Sequence, residues 1–396
     1  MNINEVMKRV RRSFSGNLRQ YGMVFALFVV ILFFQITTDG ILLMPLNVSN
    51  IIQQNGYIII LACGMMLCIL TGGNVDLSVG SVAGFIGAIS AVLVLRMGVS
   101  TPAAILISLL IGVAIGAWHG FWIAYVGVPA FIATLAGMLL FRGLTLALLQ
   151  GVSLAPMPND YSFIAAGFVP DARGIGNMMM VTMVAAVVIS LFYVVTQVYA
   201  RRKRQSYGFD VQHINIFALQ LAIVCAVIIF IASRLAQHRG TPMVLAIVGV
   251  LILIYSFITN RTVFGRRIYA FGGNKVAAKL SGINTKRVLF AVYANMGLLA
   301  AISGIIFTGR LNSATPKGGD GFELDAIAAC FIGGASTTGG IGTIVGAVIG
   351  GLLMGVLNNG MAIMGISIDW QQAVKGIVLL LAVAFDVMQK KNKTTT

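Results

Sequence analysis

A chain of 396 residues that is 58% hydrophobic and only 10% charged, with a mean hydropathy of +0.95, lies outside the soluble globular range. Its net charge of +16 would suit a nucleic-acid binder, but the cations stand in a few hydrophilic segments between apolar runs, which is the pattern of membrane topology. Composition thus excludes a soluble enzyme and a nucleic-acid partner and leaves a multispan membrane protein.

Residues 1–19 carry Lys8, Arg9, Arg11, Arg12 and Arg19, and the apolar run that follows has no small-residue cleavage site. It reads as a retained first span with a basic cytoplasmic N-terminus. Runs of about 20 residues, long enough to cross, follow in order. They lie at 21–37, 51–70, 79–97, 103–126, 130–150, 177–199, 214–233, 242–259, 288–309, 324–336, 340–362 and 371–388. The run at 324–336 is too short for a full span and reads as a half-helix or a tilted segment buried in protein. The expected fold is all-α and polytopic, one permease-type domain with about twelve transmembrane or part-membrane helices.

Counting crossings from an inside N-terminus puts Arg201-Arg202-Lys203-Arg204, the segment 260–287 and the tail 389–396 in the cytoplasm, and these places hold most of the 27 Lys and Arg. Segment 151–176, with Pro156, Pro158, Pro170, Asp160 and Asp171, reads as an irregular external loop. Segment 260–287 has seven cations and no acid. Gly272-Gly273-Asn274 marks a turn there, and Lys275 to Ser281 a short helix closed by Gly282. A plain positive-inside loop would explain the charge but not the helix, so the segment is expected to dock a cytoplasmic partner. Lys275 and Lys279 would face acidic groups, and Ala277, Ala278, Ser281 and Gly282 would allow close approach.

The 46 glycines serve close helix packing and helix breaks. Asp76-Leu77 followed by Gly87-Ala88 recurs, at a constant offset, as Glu323-Leu324 followed by Gly334-Ala335. The ladder Gly112, Gly116, Gly120 is echoed by Gly346, Gly350 and by Gly351, Gly355. On the span count the two copies point in opposite directions, an inverted repeat of the kind found in transporters.

Asp76, with Asn74 and Ser78, sits in a glycine break between apolar runs. An acid so close to hydrocarbon points to function or to a specific partner. As an N-cap of the next span it would serve structure, and this reading stands ahead of a substrate or proton ligand. Glu323 and Asp325 stand the same way before 324–336. Arg142 and Lys375, inside apolar runs, should face the bundle interior and pair with acids or carbonyls, or, for Lys375, snorkel. Trp118, His119 and Trp122 share one span, and Trp370, Gln371 and Gln372 open another. Such groups suit sugar rings, but Trp370 is better read as an interfacial anchor and His119 as a satisfied core residue. Cys63, Cys68, Cys225 and Cys330 have no metal-ligand spacing. No G-x-x-x-x-G-K-[ST] phosphate loop, H-E-x-x-H or G-x-S-x-G is present, so the chain is not expected to be an enzyme and carries no cofactor site of its own.

Six stretches, in order, resemble the membrane permeases of bacterial monosaccharide ATP-binding-cassette importers. They begin at Asn47 (NVSNIIQQ), Val75 (VDLSVGS), Val128 (VPAFIATL, with Phe131), Gly265 (GRRIYAFGGN), Ala277 (AAKLSGI) and Glu323 (ELDAIAA). Length and the added span pair around 177–240 place the resemblance nearest the xylose and multiple-monosaccharide branch. It implies a homodimer in the bacterial inner membrane with both termini cytoplasmic. It also implies an ATPase partner, usually of two fused cassettes, that binds ATP and Mg, and an extracytoplasmic sugar-binding protein. Gly272, Gly273, Asn274, Ala277, Ala278, Lys279, Leu280, Ser281 and Gly282 then match the ATPase-coupling region, while Asn74, Asp76, Ser78, Phe131, Glu323 and Asp325 are candidates for the translocation pathway or its helix breaks. Two other readings remain: a proton- or cation-coupled secondary transporter using Asp76 or Glu323, and a channel or structural membrane protein.

Overall fold

The computed structural model describes residues 18–172, 178–209, 211 and 213–394. The basic N-terminus as far as Asn17 lies outside the described residues. Among those described there are fifteen α-helices and, in place of sheet, two isolated bridges. They are α1 (Leu18–Thr37), α2 (Pro45–Leu70), α3 (Val79–Ala91), α4 (Thr101–Phe121), α5 (Ala130–Leu149), α6 (Asn159–Ala166), α7 (Met180–Ser206), α8 (Ile214–His238), α9 (Met243–Arg261), α10 (Val263–Gly273), α11 (Lys275–Leu280), α12 (Thr285–Leu311), α13 (Phe322–Ile332), α14 (Ile344–Ile363) and α15 (Ile368–Thr394). π-Helical turns extend α3 to Arg96 and α4 to Val126.

Among the described residues, ten helices are long and apolar enough to cross a membrane: α2, α3, α4, α5, α7, α8, α9, α12, α14 and α15. With the shorter apolar stretch Gly22–Thr37 of α1 and the 11-residue α13, they account for the twelve expected runs. At about 1.5 Å per residue α13 covers roughly half the hydrocarbon thickness.

The core is built where backbones come close. Gly112, Gly116 and Gly120 of α4 face Gly297, Ala301, Tyr293 and Phe290 of α12, and a methyl group at Gly116 would collide with the Tyr293 carbonyl. Gly346 and Gly350 of α14 face Gly333 and Ala329, while Gly351 and Gly355 face Ile59 and Asn55 of α2. Both ladders are therefore packing surfaces, as small residues are in membranes generally.

These contacts also fix direction. α2 runs against α12, since Ser303 Oγ donates to the Tyr57 carbonyl at 3.1 Å and Gly64 meets Met296. It runs against α14 too, with Asn47 and Asn359 exchanging amide hydrogen bonds at 2.8 and 3.0 Å. α3 runs along α12, pairing Ala83 with Gly304 and Gly87 with Thr308. α13 runs against α14, so α3 and α13 point in opposite directions. The inverted sense of the repeat is present, but its extent is smaller than expected. Gly87 lies inside α3, whereas its counterpart Gly334 lies beyond the end of α13 at φ +81°.

Two loop expectations are corrected. Segment 151–176 is not wholly irregular: it contains α6, whose buried Tyr161 hydroxyl hydrogen-bonds Ser90 at 2.6 Å. Segment 260–287 begins with a further helix, α10, because Thr262 caps it by accepting from the Gly265 amide at 3.2 Å. The described part of the tail, to Thr394, continues α15. The added pair α7–α8 leaves and rejoins the chain at one point. There Val169 N donates to the Thr241 carbonyl at 2.8 Å and Met243 N to that of Gly167 at 3.0 Å.

Candidate functional site

Two regions carry the polar residues singled out in the sequence: one in the middle of the bundle, one on the face that bears 260–287. In the first, residues 71–78 turn back from the end of α2, so that α3 starts beside Met296, Gly297 and Ala300, near the middle of α12. Asp76 is buried there. Its Oδ1 accepts from the Ser78 amide at 2.9 Å and from Ser78 Oγ at 2.6 Å. Ser78, not Asp76, occupies the N-cap, so the expected cap is displaced by two residues and the carboxylate closes the turn before it. Asn74 holds the same turn through Nδ2 to the Thr71 carbonyl at 2.9 Å.

A cavity with room for about one water adjoins Asp76, Ser78, Ile115, His119 and Gly297. His119 was expected to be satisfied and is so only in part: the ring hydrogen-bonds the Ile115 backbone, but its Nε2 has no hydrogen-bond partner among the described residues and abuts Gly137. The ring is also held by Trp118 and Phe141, with centroids 4.9 and 5.9 Å away.

α13 also begins in mid-bundle, because Glu323 and Gly319 press on Gly80 in the first turn of α3. Glu323 and Asp325 do not cap α13; Gly321, in a left-handed conformation, is the N-cap, and the two acids lie within the first turn, where the helix dipole favours them. Two helix starts thus meet in mid-bundle, α3 preceded by the buried Asp76 and α13 carrying the buried Glu323 and Asp325 in its first turn. Asp325 pairs with Lys375 of α15 at 3.1 Å, as expected for an intramembrane lysine. Arg142 pairs with Asp320 at 2.8 Å, but its side chain is 36% exposed, so it lies at the bundle's edge and not inside. Phe131 is exposed on α5, and the structure does not bring it to these acids. Trp370 is 69% exposed.

On the other face, Gly272 and Gly273 belong to the last turn of α10, and the expected turn shrinks to Asn274. That residue caps α11, its Oδ1 accepting from Val276 N and Ala277 N at 3.0 Å. Gly282, at φ +81°, ends the short helix in the region glycine favours. Asn284 then caps α12 through the Arg287 amide at 3.0 Å. Ala278 faces inward and is buried, contrary to the expectation that it meets a partner. The outward face holds Val276, Ala277, Lys279, Leu280 and Ser281. Leu280 is 84% exposed and Val276, one turn earlier, 68%.

Sequence reasoning missed three polar contacts. Asp386 of α15 accepts from Thr337 N and Oγ1, both at 3.2 Å; an acid inside the run 371–388 was the available signal. Tyr269 Oη donates to the Gly342 carbonyl at 2.8 Å. Asp171 caps α7 from a distance, accepting from Val181 N, Thr182 N and Thr182 Oγ1 at 2.7, 2.9 and 2.8 Å.

Residues 47–383 match the family described as "Branched-chain amino acid transport system / permease component". The chain belongs to this permease family. It is 40% identical to the xylose transport system permease protein of Escherichia coli (strain K12), over 96% of this chain and 95% of that one. It is 37% identical to the xylose permease of Haemophilus influenzae, over 95% and 98%, and 36% identical to the ribose import permease of Escherichia coli, over 86% and 85%. No solved structure matches. The relatives agree with the resemblance drawn from the six motifs, and nearest to its xylose branch.

Proposed function

We propose that this chain is the membrane subunit of an ATP-binding-cassette importer that carries a pentose, xylose foremost, into the bacterial cytoplasm. The observation that carries the ATP-driven part is α11. A capped two-turn helix on a basic, water-facing loop holds Leu280 84% exposed beside Val276, with Lys275 and Lys279 at its sides. Such a side chain stays in water only at a cost of about 2 kcal/mol relative to burial, which a docked partner removes. The partner on this reading is a separate ATPase that binds ATP and Mg; this chain binds no cofactor.

The rest of the assembly follows from the resemblance and the relatives. A second copy encloses the pathway, a sugar-binding protein delivers the cargo from outside, and both termini are cytoplasmic. The xylose and ribose relatives are nearly equally similar, at 40% and 36% identity, which supports a pentose as the class. Asp76, Glu323 and Asp325, at two opposed helix starts in mid-bundle, line the region that opens alternately to each side.

Buried Asp76 beside the buried His119, whose Nε2 has no partner among the described residues, supports one other reading, a proton-coupled transporter. Uptake of labelled xylose and ribose into inverted and right-side-out vesicles separates the two. Accumulation should require ATP, the ATPase and the binding protein, and Leu280→Ser should abolish ATPase co-purification while the permease stays folded. Accumulation driven by a proton gradient with no ATPase present sinks the importer.

A further inference from the structure

Three glycine-bearing segments meet backbone to backbone beneath the docking helix. Gly272, in the last turn of α10, lies against the Leu70 carbonyl at the end of α2 and against the Gly340 amide between α13 and α14; a methyl group there would collide with both. Gly340 N donates to that same Leu70 carbonyl at 3.1 Å. Gly339 lies on Gly72, and Gly73 on the Thr337 carbonyl. Contact this close leaves no slack of side chains between the three segments.

The joint lies between the docking helix and the centre of the bundle. Gly272 stands two residues before Asn274, the cap of α11, so α11 cannot shift far without moving α10. Gly72-Gly73 leads within three residues to Asp76. The stretch from Gly339 leads to Thr343, whose Oγ1 caps α14 by accepting from Gly346 N at 3.0 Å. A directed side-chain contact ties α10 to the joint, from Tyr269 Oη to the Gly342 carbonyl at 2.8 Å. Burial pushes the Tyr269 phenol above its ordinary value, so it remains a donor throughout the neutral range. Gly342 sits at φ +152°, so a side chain there is strained and the acceptor carbonyl is held in an orientation suited to glycine.

We infer that Tyr269 is a positioning residue for transport: through its hydrogen bond to Gly342, braced by Gly272, it carries movement of the docking helix into the breaks that lead to α3 and α14. The inference rests on the importer reading. It adds that energy passes through a named contact on α10, and that this contact is separable from ATPase docking. A purely structural tyrosine would support the fold without setting how much sugar moves per ATP.

The test uses the whole complex of permease, ATPase and binding protein in vesicles, with xylose and ribose uptake and ATP hydrolysis measured together. Tyr269→Phe keeps the ring and removes only the hydroxyl. It should retain ATPase co-purification and hydrolysis, while sugar moved per ATP falls about fivefold, the worth of one ordinary hydrogen bond. Tyr199→Phe, exposed on α7, should leave the ratio unchanged. Hydrogen exchange gives a readout besides activity: ATP should alter protection in 71–78 and 333–343 in the native complex and much less in Tyr269→Phe. An unchanged ratio, or uptake and hydrolysis falling in proportion, overturns the inference. Wild-type uptake that needs no ATPase overturns the importer reading, and is seen before any variant is made.

Discussion

Helices α2 and α8 are both long and apolar enough to cross a membrane, and the more apolar of the two is the less buried. In its most apolar 18-residue window α2 is 78% buried within the protein, while α8, with the highest hydropathy of all ten spans, has none of its window buried. In water this order would be reversed. In lipid, burial against protein gains little from hydrophobicity, so the core is marked by small residues that admit a neighbouring backbone and by polar groups that need partners. α2 carries Gly56, Gly64, Asn55 and two buried cysteines. No residue in the window of α8 is buried within the chain.

The first way to break this comparison is to fill a core glycine. Gly116→Leu drives a side chain into the Tyr293 carbonyl, whereas Gly143→Leu, with nothing within 4 Å of the new Cβ, points into open space. Gly116→Leu should cost more than about 3 kcal/mol and leave little folded protein in the membrane, with Gly143→Leu close to wild type. Thermal unfolding in detergent, read by size-exclusion recovery, measures both. Equal stability of the two would mean that backbone approach does not define the core.

A second, smaller effect sharpens it, because α15 is a peripheral helix tied to the core by charge. Lys375→Met leaves the 7%-exposed Asp325 side chain without its cation and should destabilise by about 3 kcal/mol. Adding Asp325→Leu should recover most of the loss, since the apolar pair no longer strands a charge. If the double variant is as unstable as the single one, the ion pair is not what holds α15.

How far the sequence could be read follows from the same physics. Spans were legible because each run of about 20 apolar residues needs only hydropathy, and even α13 could be recognised as half-length. The basic segment was legible as carrying a short helix, yet not that helix's orientation: nothing in the string AAKL tells that Ala278 turns inward while Leu280 turns out. Asp76 and Glu323 could be marked as acids that must have a reason, but their exact hydrogen bonds depend on where the chain turns back into the bundle. The Tyr269–Gly342 contact joins residues 73 apart in sequence and carries no local signal.

Asp171 offers a third test, on the peripheral hairpin. Slight burial raises its carboxyl, but hydrogen bonds from the Val181 amide, the Thr182 hydroxyl and amide, and the Ala172 amide outweigh this and hold it below its ordinary value. A depressed carboxyl stabilises above its unfolded value and loses that contribution as pH falls through the folded one. The first turn of α7 should therefore fray below about pH 4, its amides exchanging faster in hydrogen-exchange experiments. Asp171→Asn should cost about 1 kcal/mol or less at neutral pH and abolish that acid dependence. Acid fraying that persists in Asp171→Asn would assign it to another group.

The smallest effect is expected from the largest change. The chain enters and leaves α7–α8 across a single antiparallel bridge, Phe168 to Pro242, with Val169 N donating to the Thr241 carbonyl. Replacing residues 170–240 by Asn-Gly supplies the two-residue turn such a pair accepts. What α8 covers on α2 would then face lipid, which is as apolar as the helix removed. The hairpin carries none of the mid-bundle acids and none of the residues of α11. The shortened permease should insert, bind its ATPase and import sugar within about twofold of the full chain, a difference worth only a few tenths of a kcal/mol. Loss of insertion would show that α8 is core despite its exposure and would break the comparison. Loss of transport alone, with folding and ATPase docking intact, would instead give the hairpin a part in the cycle that neither its packing nor its charge suggests.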